Sequence, residues 1–324
     1  MPVALITGIA GQDGSYLAEL LLSHGYRVVG IAKQTGESGL ARLAKIREKI
    51  TVVDGDLLIQ EALVTLLQTH RPDEIYNLAA ESFMPDYAGD PGRTGNVTAL
   101  SVTRLLEAIR IVNPHIRFLQ ASSSEMFGRA TVSPQNETTP LNPRNLYAIA
   151  KVYAHQAVRY YRETYGLFAC SGILFNHESP RRSLKFVSRR VTYEAARIKL
   201  GLSKRLHLGD LDARRDWGYA GDYVKAMCQM LRQQNPEDYV IATGRTHSVR
   251  ELCEAAFAHL GLDYRDHVVR SNEHVRPTEE ALIVGDSSKA AQLLGWKPTI
   301  PFEELIKMMA DADQELVNQG GETC

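Results

Sequence analysis

Short apolar runs alternate with segments of helical periodicity along most of this chain, and the first run, Val3–Thr7, opens directly into the turn Gly8-Ile9-Ala10-Gly11-Gln12-Asp13-Gly14. Parallel strands cannot be joined by a tight hairpin and need a crossover, usually a helix. Alternation of this kind therefore restricts the fold to a parallel sheet with helices on both faces. The runs at 3–7, 26–31, 50–53, 74–78, 116–121, 169–175 and 238–242 read as strands. Helical spacing fills 16–24, 57–69, 97–111, 147–165, 186–200 and 221–233. The predicted fold class is α/β, a doubly wound parallel sheet of Rossmann type with a smaller α/β substrate-binding domain. At 324 residues the chain exceeds the usual size of one hydrophobic core. Its character changes after the strand at 169–175, where 176–183 is polar and broken by proline. Residues 1–175 with 213–245 are accordingly expected to form the dinucleotide domain, and 176–212 with 246–324 the substrate domain.

Glycines between a first strand and its helix let the backbone turn tightly and approach a pyrophosphate, which the free N–H groups and dipole of the helix N-terminus attract. The spacing Gly8-x-x-Gly11-x-x-Gly14 is a weak signal alone, and its strand-turn-helix setting carries the dinucleotide reading. An NAD site usually offers an acid after the second strand to the ribose 2′-hydroxyl, whereas a 2′-phosphate wants a cation. Lys33 follows that strand and no acid appears before Glu37, which tilts the reading to NADP. NAD stays open, because a lone lysine is as often a solvated surface residue. Asp56-Leu57 after the third strand offers a place for an adenine edge, and Leu78-Ala79-Ala80 after the fourth lets a cofactor approach.

Tyr147 and Lys151 stand one helical turn apart on one face. A neighbouring ammonium, together with a nicotinamide cation, lowers the pKa of a phenol and lets it act as a base toward a sugar hydroxyl. A Tyr-x-x-x-Lys match is common by chance; its weight comes from its place after the strand ending in Ser122-Ser123-Ser124, where a serine hydroxyl can share the substrate hydroxyl. Glu125 adds a carboxylate able to remove a carbon-bound proton, which hydride transfer alone does not need. That combination points to elimination chemistry.

With these residues in view, the chain resembles the extended short-chain dehydrogenase/reductases that act on nucleotide sugars, and within them the GDP-mannose 4,6-dehydratases. The resemblance runs through 6–19, 120–128, 147–151, 161–169, Asn176-His177-Glu178-Ser179-Pro180-Arg181-Arg182, 211–218 and 238–244, and so covers nearly the whole chain. It implies a redox-neutral lyase acting on GDP-mannose or a close GDP-hexose. Tyr147 would deprotonate the 4-hydroxyl as hydride passes from C4 to NADP, Glu125 would remove the C5 proton, and water would leave from C6 as the hydride returns there. The product implied is a GDP-4-keto-6-deoxy sugar. The resemblance makes Ser123, Glu125, Tyr147 and Lys151 the catalytic group, Ser123 standing where the family usually has threonine. It maps cofactor contacts onto Gly8, Ile9, Ala10, Gly11, Gln12, Asp13, Gly14, Asp56, Leu57, Leu78, Ala79, Ala80, Ser82, Tyr147, Lys151, His177 and Arg182. Nucleotide-sugar contacts fall on Glu125, Asn176, Arg190, Arg215, Arg276 and Glu279, and the arginines suit a diphosphate on physical grounds, since guanidinium forks bind phosphate oxygens bidentately.

The chain departs from the family's pattern at 33–38, where an Arg-Arg-Ser-Ser type loop usually binds the 2′-phosphate and builds a tetramer contact, and at the sugar-facing loop 83–90. Arg93 replaces a usual tyrosine or threonine, and Ala281 a usual aspartate. NADP against NAD and the hexose itself, a GDP-heptose included, are left open by these changes. The assembly implied is a homo-oligomer paired through 97–111 and 147–165, with dimer or tetramer open. A nucleotide-sugar 4-epimerase or 4-keto reductase would share the glycine turn and Tyr147/Lys151 but needs no base at C5. A dinucleotide-binding sensor or scaffold would need none of the four catalytic residues. A net charge of -1 without any Lys/Arg run argues against nucleic-acid and membrane-surface partners, and no apolar stretch approaches the ~20 residues of a transmembrane helix. Cys170, Cys228, Cys253 and Cys324 are scattered, which predicts no metal site and the reduced thiols of a cytoplasmic protein.

Overall fold

The computed structural model describes residues 1–32, 36, 38–83, 89–271 and 283–320. Among the described residues the strands in chain order are β1 Val3–Thr7, β2 Arg27–Ala32, β3 Thr51–Asp54, β4 Glu74–Asn77, β5 Arg117–Ser123, β6 Ala169–Leu174, β7 Asn176–Glu178, β8 Leu206–Leu208, β9 Arg214–Arg215, β10 Trp217–Tyr219, β11 Tyr239–Ile241, β12 His247–Ser248 and β13 Val268–Arg270. Seven of them form one sheet in the order β3-β2-β1-β4-β5-β6-β11. Every pairing in it is parallel. The winding reverses between β1 and β4, and the crevice at the C-terminal ends of such strands is where doubly wound sheets take ligands. The glycine turn leaves β1 at that point, and residues 78–80 leave β4.

Successive strand residues face opposite sides of the sheet. Ala4 and Ile6 of β1 pack with Leu17 and Leu21 of the helix Gln12–Ser23 and with Met227 and Leu231 of the helix Ala220–Leu231. Val3 and Leu5 pack on the other side with Val102 and Leu106 of the helix Ser101–Val112 and with Val158 of the helix Leu146–Tyr165. Coverage of both faces is why these strands read as unbroken apolar runs. Each fully buried Leu or Ile contributes about 1.5–3 kcal/mol.

A separate apolar cluster joins the helices Val187–Lys199, Val249–His259 and Phe302–Asn318 through Val191, Leu252, Phe257, Leu305 and Met309. Ala290, Leu294 and Trp296, although late in the chain, belong to the cluster on the sheet. Two elements differ from the expected pattern. The predicted helix at 97–111 is a wider π-type turn over Gly95–Leu100 that tightens into Ser101–Val112. Between β2 and β3 the chain winds into 3-10 turns over Ser38–Lys49, where Leu40, Leu43 and Ile46 recur every third residue and are all buried. No described helix is long and apolar enough to cross a membrane.

Candidate active site

At the switch point the glycine turn is packed against the end of β4. Gly8 has φ +69°, and a Cβ there would lie 3.0 Å from the Ala79 nitrogen; a Cβ on Gly14 would lie 2.4 Å from the Gly8 carbonyl oxygen. Gly11 caps the helix Gln12–Ser23 without a side-chain hydrogen bond, so no side chain competes for the first-turn N–H groups. A close cradle of backbone at a helix N-terminus fits a pyrophosphate. Asp13 in that turn would repel one were its charge not answered. His177 Nε2 donates to Asp13 Oδ2 at 2.8 Å and His177 Nδ1 donates to the Phe175 carbonyl at 2.7 Å. Acceptors at both ring nitrogens favour the protonated form of His177. Burial opposes that charge, but Asp13 outweighs it and holds the His177 pKa above its ordinary value. Burial likewise pushes Asp13 up, and His177 with Gln12 and Arg182 brings it below the usual carboxylate range.

The segment after β7 closes over the same turn. Gln12 Nε2 donates to the His177 carbonyl at 3.0 Å and Ser179 Oγ donates to Gln12 Oε1 at 2.8 Å. Arg182 pairs with the buried Glu178 at 2.9 Å and lies 3.6 Å from the centroid of the Phe186 ring. Arg42, from the 3-10 turns after β2, donates to the Arg181 carbonyl at 2.8 Å and to the Ala10 carbonyl at 3.4 Å.

The tyrosine-lysine group lies across the crevice. Ser123 ends β5, and its hydroxyl accepts from the Glu125 N–H at 3.2 Å, which starts the single turn Ser124–Phe127. Glu125 Oε2 accepts from Asn145 Nδ2 at 3.1 Å, while Asn145 Oδ1 accepts from the Ala148 N–H at 2.8 Å and caps the helix Leu146–Tyr165. One asparagine thus ties the carboxylate to the helix that carries Tyr147 and Lys151. Tyr147 is half-buried and hydrogen-bonded to Ser123, and its ring centroid lies 5.6 Å from Lys151 Nζ. Lys151 is 2% exposed and donates to the Ala121 carbonyl at 2.6 Å. Burial lowers its pKa to about 8. Burial also pushes the Tyr147 phenol up, against the pull of the Ser123 hydrogen bond, so further positive charge is needed before it serves as a base.

Ser123, Glu125, Tyr147 and Lys151 therefore come together, and the glycine turn with His177 and Arg182 forms a second group. Leu78 and Ala79 border the turn and donate their N–H groups to Thr7 Oγ1, both at 3.1 Å; Ala80 is half-buried and Ser82 is exposed. After β3, Leu57 is buried and Asp56, exposed, accepts from the Leu58 N–H at 2.9 Å. Asn176 pairs with Trp217 of β10, Arg190 donates to the His207 carbonyl, and Arg215 donates to the Arg214 carbonyl at 2.7 Å. Lys33, Arg276, Glu279, Ala281 and Cys324 lie outside the described residues. Asn145, Arg42, Thr7 and Gln120 were not singled out from the sequence as site residues. For Asn145 the signal was present, an asparagine standing directly before a helix. Among the described residues no three His, Cys, Asp or Glu side chains gather as a metal site.

The family described as GDP-mannose 4,6 dehydratase matches residues 5–309. GDP-mannose 4,6 dehydratase 1 of Arabidopsis thaliana is 47% identical over 98% of this chain and 91% of its own length. The GDP-mannose 4,6 dehydratase of Cricetulus griseus is 44% identical over 97% of this chain and 92% of its own. Among solved structures, the UDP-glucose 4-epimerase of Thermus thermophilus in complex with NAD superposes with a TM-score of 0.82 at 25% identity, covering 96% of this chain and 99% of that one. A match of this extent and identity, on a doubly wound sheet with the glycine turn at its switch point and the tyrosine-lysine group at the end of β5, makes the chain a member of the GDP-mannose 4,6 dehydratase family.

Proposed function

We propose that this chain is a nucleotide-sugar 4,6-dehydratase, converting GDP-mannose to a GDP-4-keto-6-deoxy sugar and water. The observation that carries it is Glu125, a carboxylate held by Asn145 beside Ser123, Tyr147 and Lys151. The chemistry supplied by a bound nicotinamide dinucleotide is one hydride taken from C4 and returned to C6. Tyr147, aided by the Lys151 ammonium and oriented by Ser123, takes the proton of the 4-hydroxyl. Glu125 takes the C5 proton, acidified by the new ketone, and gives it back to C5 after hydroxide has left C6. The proton from the 4-hydroxyl completes the departing water, so protons and electrons balance.

The uncapped turn Gly8–Gly14 is proposed to hold the pyrophosphate, with His177 cancelling the Asp13 charge and Arg182 adding a cation. NADP is the dinucleotide favoured, on the support of Arg42, whose guanidinium stands next to the glycine turn on the side of β2. Asn176, Arg190 and Arg215, with Arg276 and Glu279, are assigned to the nucleotide sugar. The cluster of Val187–Lys199, Val249–His259 and Phe302–Asn318 is taken as the core of the substrate domain. Pairing of two copies is assigned to the helices Ser101–Val112 and Leu146–Tyr165, whose outer faces expose Ile111, Ile149, Tyr153 and Tyr160. Free, buried thiols at Cys170, Cys228 and Cys253 fit a cytoplasmic setting.

Incubation of the protein with GDP-mannose and mass analysis of the product tests the reading: loss of one water is expected, and an isomer of unchanged mass would replace dehydration by epimerisation. Glu125→Gln should lower turnover by ~10²-fold or more while cofactor affinity is retained. Undiminished elimination in that variant would remove Glu125 from the mechanism.

A further inference from the structure

A buried chain of side-chain hydrogen bonds crosses the C-terminal ends of β1, β4 and β5 and stops at Lys151. Thr7 Oγ1 accepts from the Leu78 and Ala79 N–H groups, both at 3.1 Å, and donates to Asn77 Oδ1 at 2.6 Å. Asn77 Nδ2 donates to Gln120 Oε1 at 2.7 Å, and Gln120 Nε2 donates to the Ala121 carbonyl at 2.9 Å. The same carbonyl accepts the Lys151 ammonium at 2.6 Å. Thr7 is 0% exposed, Asn77 and Gln120 1% each, and Lys151 2%, so water cannot stand in for a missing partner.

The direction of this chain is fixed at its start. Backbone N–H groups only donate, so the Thr7 hydroxyl accepts from them and spends its one proton on Asn77. Asn77 must then turn its NH2 toward Gln120, and Gln120 its NH2 toward Ala121; a reversed amide would set donor against donor or acceptor against acceptor where neither can be solvated. The Ala121 carbonyl has two lone pairs. One is committed to the Gln120 amide and the other to the ammonium. Of the charged and titratable groups around Lys151, Tyr147 lies on its own helix, and Asp13, itself paired with His177, faces it from the glycine turn.

We infer that Gln120, oriented by Thr7 and Asn77, is a positioning residue for Lys151: by sharing the Ala121 carbonyl it sets where the ammonium rests and how firmly it is held. The segment bordering the dinucleotide turn, 78–79, is thereby connected through three strands to the lysine that supports Tyr147. This inference rests on the proposed place of Lys151 in the catalytic group.

Lys151 is observed directly by NMR of protein labelled with 13C-lysine, its signal assigned by loss in Lys151→Arg. Gln120→Met keeps the volume and removes the amide, so the carbonyl serves the ammonium alone. The Lys151 titration midpoint should rise by about half a pH unit, and kcat should fall by about tenfold with the nucleotide-sugar KM within about twofold of the parent. The paired change Thr7→Val with Asn77→Leu replaces the upstream partners by apolar groups of similar shape and carries the test should Gln120→Met fail to fold. A rise of the midpoint is expected there also, because the Gln120 amide loses its orientation. A folded variant of either kind with the parental midpoint and kcat would overturn the inference, since a merely structural role predicts lost stability and nothing else. Unimpaired turnover in Lys151→Met would instead remove Lys151 from the catalytic group, while the midpoints would still report on the hydrogen-bond chain.

Discussion

Asn145 serves two partners with the two ends of one amide. Its carbonyl oxygen caps the helix Leu146–Tyr165 and its NH2 holds Glu125, so one side chain ties the carboxylate to the tyrosine-lysine turn. Asn145→Ala removes both contacts, and loss of the cap alone costs about 1 kcal/mol. Asn145→Asp separates them, since it keeps the capping oxygen but sets a like charge against Glu125. Asn145→Asp should lose less thermal stability than Asn145→Ala, because the cap is kept, while its turnover at neutral pH falls, because Glu125 loses the amide donor that holds it. Parental turnover in Asn145→Asp beside a destabilised Asn145→Ala would mean that Asn145 only caps. Ser123, Glu125, Tyr147 and Lys151 were legible in the sequence because a strand end and one helical turn group them locally. The Asn145 amide that joins the two groups was not, because it meets Glu125 only after the intervening loop has folded back.

At the scale of elements, the joint between the glycine turn and β7 is the Asp13–His177 pair. His177 has its pKa raised, so its contribution to stability is fully present below about 6.5 and is lost as pH rises through the folded-state value. Asp13 has its pKa lowered, so its contribution is present above about 3.9 and is lost as pH falls through the folded-state value. The pair is therefore intact in mildly acid solution and weakens toward alkaline pH. Melting temperatures of the parent and Asp13→Asn, compared from pH 5 to pH 9, should differ most at the acid end; a difference that widens with pH would contradict the pairing. This joint could not be read from sequence, because residues 13 and 177 are brought together only by the sheet order. The strands could be read, since burial on both faces leaves plain apolar runs. The 3-10 turns at Ser38–Lys49 fit neither a helix nor a strand period and are not legible in the sequence. The helix Val249–His259 also went unread, although the capping box of Ser248 with Glu251 marks its start in the sequence.

Across the whole molecule, the sheet-covering helices differ in what lies outside them. The helix Ala220–Leu231 is almost wholly buried, whereas Leu146–Tyr165 buries Ala154 and Val158 against the sheet and exposes Ile149, Tyr153 and Tyr160. The neighbouring helix Ser101–Val112 is joined to it by a hydrogen bond between Thr103 and Tyr153 at 3.0 Å and exposes Ile111. Two adjacent helices that expose Ile111, Ile149, Tyr153 and Tyr160 among polar residues offer a surface that a second copy can cover by twofold symmetry, each helix pair meeting its equivalent. Ile149 is the position to test, because it lies two residues from both Tyr147 and Lys151 in sequence yet points away from the crevice. Ile149→Asp would place a carboxylate inside the pairing surface proposed above, where a charge without a partner is costly to desolvate. The variant should sediment as a monomer at micromolar concentration while the parent sediments as an oligomer, and its dinucleotide affinity should be unchanged. A variant that keeps the parental sedimentation coefficient would move the pairing surface elsewhere on the molecule.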